Sequence, residues 1–570
     1  MAHPYTSPSQ VVAVLASGLL LAVSGLVVYL HNGGAAAGQG GGIALSPSLP
    51  TPDAGPYTMA VGGESELRDA ISAFASSAGE QVVFIDDPRA ADISLEWSAG
   101  GSDPQLQITR EALALSVPMA DPVFSLTEDE FRRVVTDDVD DWSDVGGGEG
   151  RIELTLAAGG AAAIHGFPTA VDAGNRVDAV FSLHEGMATD RRAVRVDGVA
   201  PGQEGYSFPV SMTLAVHSQR AQELALEMAE ALRAATGEPS LTLAAVGDLM
   251  MANVISSNME ALGPDQPFEL MAPYLRQADI TFGNLECALT ERGEAAPKNY
   301  TFRSPPHLAG SLVNAGFDVL SVASNHTMDY GPVGLADTLQ TLDDLGIPYS
   351  GAGANETQAR APAVLEANGL RVGFLSYVNV GQEIRSGYVN ETAAAGPDRP
   401  GVAWARPDDV EADVNALRDD VDVVVVSMHI GTEGSFELRE WQTETAHAAI
   451  DAGADLVLGH HAHVLQRVEH YGGGVIIFGL GNFVFDVGIP DRNNTRSVVS
   501  YFELTADGVR GYDFVPARID VRQNRPRPLL DASGVPHLHH LLGLDELPPD
   551  PVPSPTPTPT PSVTPTATPG

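Results

Sequence analysis

The chain has 570 residues, of which 44% are hydrophobic, so it is long enough for two or three domains with cores of their own and is not a disordered protein. Its 74 acidic residues outnumber 31 basic ones, and the net charge of -43 argues against nucleic acid as a partner. Cys287 is the only cysteine, which excludes intrachain disulfides and thiolate metal sites. Any metal ion must therefore be held by His, Asp, Glu or Asn.

The N-terminal region carries a localisation signal. After a short segment, residues 1–10, the run VVAVLASGLLLAVSGLVVYL at 11–30 contains no charged residue. A stretch of about 20 apolar residues is long enough to cross a membrane as one helix, so we expect a transmembrane anchor. The alternative is a cleaved secretory signal, because small residues follow, but the usual apolar region of such signals has only about 7–15 residues.

Linker sequences lie at both ends of the chain. Residues 31–55 are rich in Gly, Ala, Ser and Pro, and residues 523–570 end in a Pro/Thr tract. Such sequences cannot bury apolar surface, and we expect both to be disordered or extended tethers. Together with the anchor, they predict a cell-membrane protein, single-pass, whose domains are extracytoplasmic.

Residues 56–237 are predicted to form a smaller α/β domain. Strand-like EQVVFIDD and ADISLEWS alternate with runs of helical spacing such as SQRAQELALEMAEALRAATG. The segment LTEDEFRRVVTDDVDDWSDVGG resembles a helix–turn segment of periplasmic phosphate-binding-like proteins of the type II fold. Ser-rich anion-binding loops are not evident, so we interpret this domain as a structural or polymer-contacting module.

Residues 241–522 repeat one pattern, in which an apolar strand-like run is followed by polar residues and then by a helix. The run LTLAAVGDLM carries Asp248, ADITFGNLE ends at Glu286, and FDVLSVASNH ends at Asn325 and His326. VDVVVVSMH ends at His429, and ADLVLGHHAH contains a histidine cluster. The repetition predicts a layered α/β domain.

The carboxyl ends of strands in an α/β sheet face one crevice, so five strand ends are expected to bring Asp, Glu, Asn and His together. These side chains are ligands for divalent ions such as Mn²⁺, Fe²⁺ or Zn²⁺, and two ions can share a bridging carboxylate. His461 and His463, separated by one residue, are expected on the same side of an extended segment. The sequence therefore predicts a site for one or two ions, with Mn²⁺ as the first choice.

The motifs VGDLMM, GNLEC, KNYTFRSPP, SNHTMDYG, SMHIGTE, GHHAHVLQ and GLGNFVFD occur in this order between about residues 241 and 500. Together they resemble the CapA, or poly-γ-glutamate biosynthesis, family, which is similar to calcineurin-like metallophosphoesterases. The resemblance implies a metallophosphoesterase-like fold in which Asp248 and His463 hold a first ion and Glu286 bridges. It implies that a second ion is completed by Asn325, His429 and His461. His326 would then be the catalytic acid/base, oriented by Asp329.

Two positions depart from the metallophosphoesterase pattern. Met250 stands where an Asp-x-His motif would supply a histidine, and Glu286 replaces the bridging aspartate. The first ion is therefore expected to be one ligand short. His460 could also take the place of His461, because spacing alone does not rank neighbouring residues at a strand end.

Candidate substrate-binding residues follow the glutamate motif. Lys298 is the only lysine in the chain and is close in sequence to Tyr300 and Arg303. Cations here could bind a carboxylate or phosphate of the substrate, although an ordinary polar loop is nearly as good an interpretation.

Two functions remain open. The first is a metal-dependent hydrolase of capsule or poly-γ-glutamate synthesis or export, acting on a phosphoester or a γ-glutamyl polymer. The second is a non-catalytic accessory or polymer-binding protein with a structural metal site. In both cases the expected partners are an anionic extracellular polymer or its precursor, the membrane, and other capsule synthesis membrane proteins.

Overall fold

The computed structural model describes residues 56–236 with gaps, residues 239–487 apart from 384, residues 493–530, and single positions up to Leu542. The predicted N-terminal segment, anchor and linker at 1–55, and the tail from 543 onward, lie outside the described residues. Within the described part, no helix is long and apolar enough to cross a membrane.

The first unit is a mixed sheet with helices. Its strands are β1 (Tyr57–Val61), β2 (Val82–Phe84), β3 (Ile93–Ser98), β4 (Gln107–Pro118), β5 (Ser125–Leu126), β6 (Leu154–Leu156), β7 (Ala179–Leu183), β8 (Arg191–Ala193), β9 (Arg195–Val196) and β10 (Pro209–Val216). Its helices are α1 (Ser65–Ser77), α2 (Glu128–Val135) and α3 (Gln222–Thr236). The strand order is β2-β1-β3-β10-β4-β7-β6, with β8 paired to β4 and a separate β5-β9 pair.

Helix α3 shows why this unit folds. Leu224, Ala225, Met228, Ala229 and Leu232 recur at helical spacing and are buried in one cluster with residues of β1, β3 and β10. An apolar stripe of this spacing packs one helix face against a sheet. The expected helix and strand alternation of this region is therefore present.

The second unit contains most of the strands in the described residues. They are β11 (Ser240–Leu249), β12 (Ile280–Leu285), β13 (Ala288–Leu289), β14 (Arg303–Ser304), β15 (Val319–Ser321), β16 (Tyr349–Ser350), β17 (Ala352–Gly353), β18 (Ala363–Ala367), β19 (Leu370–Asn379), β20 (Gly401–Val402), β21 (Val423–Ile430), β22 (Leu456–His460), β23 (Leu465–Tyr471), β24 (Gly474–Leu480), β25 (Asn482–Val484), β26 (Arg496–Thr505), β27 (Gly508–Asp520) and β28 (Arg525–Pro528). The helices are α4 (Val254–Leu262), α5 (Ala272–Leu275), α6 (Gly310–Ala315), α7 (Gly331–Leu345), α8 (Glu356–Ala359), α9 (Pro407–Arg418) and α10 (Glu440–Asp451).

Two large sheets of this unit pack face to face. One has the order β16-β15-β12-β11-β26-β27-β28, with β25 beside β11, and the other has the order β18-β19-β21-β22-β24-β23. Leu243 and Ala245 of β11 share a buried cluster with Val423 and Val425 of β21. Between the sheets, the Phe282 and Phe374 rings stack with centroids 5.8 Å apart.

The alternate residues of the same strands face outward and are covered by helices. Val246 of β11 packs with α4, α6 and α7, and Val424 and Val426 of β21 pack with α9 and α10. A strand buried on both faces needs a continuous apolar run, as VDVVVV supplies. The helix–sheet–sheet–helix layers confirm the α/β expectation for this part of the chain.

The sheet extends beyond the predicted domain end at residue 522. Strand β28, RPRP, pairs antiparallel with β27, and Leu541 is buried in the cluster between the two sheets. The predicted start of the tail at 523 is therefore wrong. Proline at the outermost position of a sheet costs no ladder bond, which explains why this sequence can form an edge strand.

The two units are joined by a buried arginine. Arg195 of β9 is 3% exposed, and its guanidinium lies 3.2 Å from Asp513 Oδ2 and 2.9 Å from Gln277 Oε1. It also lies over the Tyr501 ring, 5.0 Å from the centroid. The first unit thus supplies the cation for an acidic group on β27.

Strand β11 passes very close to the end of β24. An added Cβ at Gly247 would lie 2.0 Å from the Gly481 carbonyl oxygen and 2.7 Å from that of Leu480. The neighbouring Asp248 amide donates to the same Gly481 oxygen at 3.0 Å. Only glycine permits this approach, which brings Asp248 toward the second sheet.

We expect Gly247→Ala to destabilise the protein by about 1–3 kcal/mol, because the methyl group must displace backbone rather than a flexible side chain. Thermal unfolding of the purified full chain measures the loss. Gly310→Ala is the matched control, since an added Cβ there meets no atom within 4 Å. Equal melting temperatures for the two variants would contradict the close approach.

Candidate metal centre

The site lies where strands from both large sheets end. Asp248 is near the end of β11, Glu286 follows β12, and Asn325 lies in the loop after β15. From the other sheet, His429 is near the end of β21, and His461 and His463 follow β22. The structure thus brings together all six residues that the sequence predicts as ligands.

Glu286 is at the centre of this group. Its side chain is fully buried, and neither carboxylate oxygen has a hydrogen-bond partner among the described residues. Burying a carboxylate without hydrogen bonds is costly, so these two oxygens, with histidine nitrogens 3.7–4.0 Å from Oε1, indicate a place for a cation. The donor set around it, carboxylate and imidazole, suits a divalent ion.

Two sets of ligand atoms share Glu286. In each set the atoms lie within 4.8 Å of one another, and the sets are Asp248, Glu286 and His429, and Glu286, His461 and His463. Glu286 is thus placed to bridge two ions. The partition differs from the one implied by the resemblance, which assigned His463 to the ion of Asp248 and His429 to that of His461.

Asp248 is held among histidines. Its Oδ2 lies 3.0 Å from His463 Nδ1, and its Oδ1 lies 3.4 Å from His460 Nδ1 and 4.0 Å from His429 Nδ1. Burial raises the pKa of Asp248, but its contacts with His460 and His463 outweigh burial and hold the pKa well below its usual value. Asp248 is therefore ionised and ready to bind a cation.

The other groups show opposite shifts. Burial, reinforced by the charge of Asp248, raises the pKa of Glu286 well above its usual value. Burial lowers the pKa of His429 well below its usual value and lowers that of His461 to about 4. The two histidines are therefore neutral near pH 7, which is the form that binds metals.

The histidine loop is a turn rather than an extended segment. His461 has φ 79° and His463 has φ 56°, both in the left-handed region that non-glycine residues seldom adopt. The expectation that His461 and His463 lie on an extended segment is therefore wrong, although both rings reach the Glu286 carboxylate. Backbone of this kind costs about 1–3 kcal/mol and is common where a site fixes a side chain.

The side chains of Asn325 and His429 are hydrogen-bonded to each other. Asn325 Oδ1 lies 2.8 Å from His429 Nε2, and Asn284 Nδ2 lies 3.1 Å from His429 Nδ1. Asn284 also donates to Asp248 at 3.0 Å. This chain of polar contacts fixes the imidazole between two strand ends.

His326 and Asp329 form a buried pair next to the ligands. His326 Nδ1 lies 2.7 Å from Asp329 Oδ2, and its Nε2 lies 4.0 Å from Glu286 Oε1. The Phe302 ring packs on the imidazole with centroids 4.2 Å apart. Burial lowers the pKa of His326, which leaves a neutral imidazole near the metal ligands.

The predicted substrate residues are not arranged as expected. The side chain of Lys298 is 1% exposed and its Nζ lies 2.7 Å from Asp329 Oδ1, so it is not a free cation. Tyr300 is 65% exposed and stacks loosely on Phe302, while the Arg303 guanidinium lies over the Tyr330 ring. The interpretation of Lys298 as a substrate-binding residue is therefore corrected.

Comparison with known proteins identifies the family. Residues 242–487 match the family described as bacterial capsule synthesis protein PGA_cap. The capsule biosynthesis protein CapA of Bacillus anthracis is 32% identical over 300 residues, covering 51% of this chain and 70% of that protein. The chain belongs to the CapA family.

Two further relatives match part of the chain. The PGA biosynthesis protein CapA of Bacillus subtilis is 32% identical over 292 residues, which cover 51% of this chain and 74% of that protein. A probable polyglutamine synthesis accessory protein of Mycobacterium tuberculosis is 36% identical over 237 residues, which cover 40% of this chain and 61% of that protein.

A solved structure of a putative 5'-nucleotidase from Staphylococcus aureus also matches, at 15% identity and a TM-score of 0.32, over 48% of this chain and 54% of that one. A likeness of this level supports no conclusion about function.

The structure adds three residues to this CapA site, of which the sequence had considered only His460, as a substitute for His461. His460 is buried beside Asp248, and Asn482 of β25 is paired with Asp248 in the sheet. Glu433 lies at the exposed rim on a loop whose Gly434 amide donates to Ala462 in the histidine loop. Position within the motifs GHHAH, GLGNF and SMHIGTE was the available signal for these three residues.

We expect metal uptake by this CapA-family protein to release protons and to weaken as the pH falls. The raised pKa of Glu286 means that its carboxyl group holds a proton in the absence of an ion, and binding must displace it. Calorimetric titration with Mn²⁺ in two buffers of different ionisation enthalpy measures this release.

Glu286→Gln should bind less Mn²⁺ and release fewer protons, because it removes the shared ligand. Glu469→Gln is the matched control, since Glu469 pairs with His447 at 2.9 Å outside the cluster. Heats of binding that do not depend on the buffer would contradict a protonated Glu286.

Proposed function

We propose that this CapA-family protein is a metal-dependent hydrolase of capsule or poly-γ-glutamate synthesis or export, acting on a phosphoester or γ-glutamyl bond. The observation that carries the proposal is Glu286, whose two buried and unpartnered oxygens lie between two sets of ligands. A buried carboxylate without hydrogen bonds is costly when no ion is bound, whereas a two-ion site would use it as a shared ligand.

The ligand chemistry favours Mn²⁺, with Fe²⁺ or Zn²⁺ as alternatives, because carboxylate, amide and imidazole donors occur together without thiolate. Bound in such sites, divalent ions activate water and stabilise the negative charge that develops on the oxygens of the scissile group. Glu286 would be common to both ions, with Asp248 and His429 on one side and His461 and His463 on the other.

In this proposal His326 is the general acid/base. Its Nδ1 faces Asp329, and its Nε2 faces the ligand cluster at 4.0 Å from Glu286, so the second nitrogen is available to a substrate. An ionised carboxylate can only accept a hydrogen bond. The contact with Asp329 therefore places the imidazole proton of His326 on Nδ1 and leaves Nε2 free to accept a proton. A general acid/base typically increases the reaction rate about 10²–10⁴-fold.

An anionic polymer is the proposed partner, because capsule and poly-γ-glutamate proteins are the relatives of this chain. A protein with a net charge of -43 repels such a polymer at long range. Bound cations at the centre would therefore be the main attraction for a carboxylate-rich chain.

A second candidate is a non-catalytic accessory protein, which one observation favours. Met250 occupies the position where a further histidine ligand was expected, and its Sδ accepts the Ala252 amide at 3.3 Å inside the core. A site with one ligand fewer could retain a metal for structure or polymer binding alone.

Two histidine variants separate these functions. We expect His326→Ala to keep its bound metal and to hydrolyse substrate about 10²–10⁴-fold more slowly, because the substitution removes the group that transfers the proton. His461→Ala should lose metal, because it removes a ligand. Metal analysis and a screen on phosphodiesters, phosphomonoesters and γ-glutamyl peptides with Mn²⁺ measure both effects.

His447→Ala is the control, since His447 pairs with Glu469 away from the site. This substitution should change neither the metal content nor the hydrolysis rate. If His326→Ala supports capsule formation in a deletion strain as well as the unaltered protein does, while His461→Ala fails, the hydrolase proposal is abandoned for the accessory one.

We also propose that residues 11–30 anchor the chain in the cell membrane with its domains outside. The apolar length and the linker composition support this location. The full-length protein should stay in the membrane fraction, and protease added to intact cells should remove the domains. Protection from protease would reverse the orientation, and release in soluble form would favour a cleaved signal.

A further inference from the structure

A buried ammonium group lies behind the acid/base pair. Lys298 Nζ lies 2.7 Å from Asp329 Oδ1, donates to the Asn325 carbonyl at 2.7 Å, and is 3.9 Å from Glu383 Oε1. The Tyr388 ring lies on another side, with its centroid 5.7 Å from Nζ. The only lysine of the chain is thus enclosed, and no part of the substrate can reach its charge directly.

Asp329 is fully occupied by these contacts. Its Oδ1 accepts from Lys298, and its Oδ2 accepts from the Phe302 amide at 2.7 Å and faces His326 Nδ1 at 2.7 Å. The side chain of Asp329 is 0% exposed. A carboxylate buried to this degree needs a nearby cation, and Lys298 is the one in contact with it.

We propose that Lys298 is a positioning residue: it fixes the Asp329 carboxylate, and through Asp329 it holds His326 with Nε2 toward the metal ligands. This rests on the proposed hydrolase function for its kinetic consequences. Without the ammonium group, Asp329 Oδ1 loses its partner and the carboxylate can rotate, so the imidazole is no longer held in one orientation.

The metal ligands should not depend on Lys298. The Asn325 loop is held by its own hydrogen bonds, from Thr327 Oγ1 to the Val322 carbonyl at 2.6 Å and from the His326 amide to Ser324 Oγ at 3.1 Å. Asn325 Oδ1 is fixed by His429. Loss of the lysine should therefore affect the acid/base pair and leave the ion-binding groups in place.

The test uses the Mn²⁺-loaded full chain with two chromogenic probes, bis(4-nitrophenyl) phosphate and γ-glutamyl-4-nitroanilide. Lys298→Met should lower kcat by about 10²-fold or more, while KM and Mn²⁺ content stay within about twofold. In the Asp329→Asn background, Lys298→Met should add less than about a threefold loss, because the lysine acts through the aspartate.

Arg418→Met is the matched control. Arg418 makes a half-buried ion pair with Asp455 at 2.7 Å in the same unit, and its loss should leave kcat unchanged. If the losses from Lys298→Met and Asp329→Asn multiply, or if Lys298→Met loses its metal, the positioning proposal is overturned.

A wild-type chain that binds Mn²⁺ and cleaves neither probe would count against the hydrolase function for these substrates, and the positioning proposal is then decided by structure. Crystals of the wild-type and Lys298→Met chains should show the His326 ring turned away from Glu286 in the variant alone. An unchanged ring and an unchanged Asp329 carboxylate would overturn the proposal.

Discussion

Two carboxylates, Asp248 and Glu286, are buried next to each other without a lysine or arginine between them. The arrangement of the other site residues depends on the repulsion between these two acidic groups. Both side chains are completely removed from solvent. Burial, reinforced by the charge of Asp248, raises the pKa of Glu286, whereas contacts with His460 and His463 lower that of Asp248, so a proton is favoured on Glu286. Imidazoles surround them because a neutral ring can serve both as a hydrogen-bond donor and as a ligand. A divalent cation is the remaining element that would let both carboxylates carry their charge.

The fold makes this arrangement possible because the two carboxylates come from one sheet and the histidines 429, 461 and 463 from the other. The sheets must approach closely at that point, and Gly247 beside Gly481 provides the approach. The apolar clusters between and outside the sheets pack the strands on both faces, so the core positions the ends of five strands. Rigid elements of this kind are better supports for a site than mobile loops.

The sequence was sufficient to predict which residues meet, because each follows an apolar run and parallel strands end at one edge. It could not predict how the ligand atoms are grouped in space, since that depends on how the two sheets pack. The sequence could not indicate the role of Lys298, because its partner Asp329 lies 31 positions further along the chain. The turn at His461 and His463 could not be predicted, because no residue type in GHHAH indicates a positive φ at a histidine. The residues of strand β28 were predicted to belong to the C-terminal tail, because their prolines are typical of linkers.

The arginine between the two units has a consequence for how the molecule comes apart. Arg195 is the partner of Asp513, and its guanidinium covers the face of Tyr501. Separating the units would leave an acidic group on β27 without its cation and would expose an aromatic face to water. The two halves are therefore expected to melt in one cooperative transition, and the boundary near residue 238 is a poor place to divide the chain for expression. A fragment that begins there would need a replacement for the charge that β9 provides.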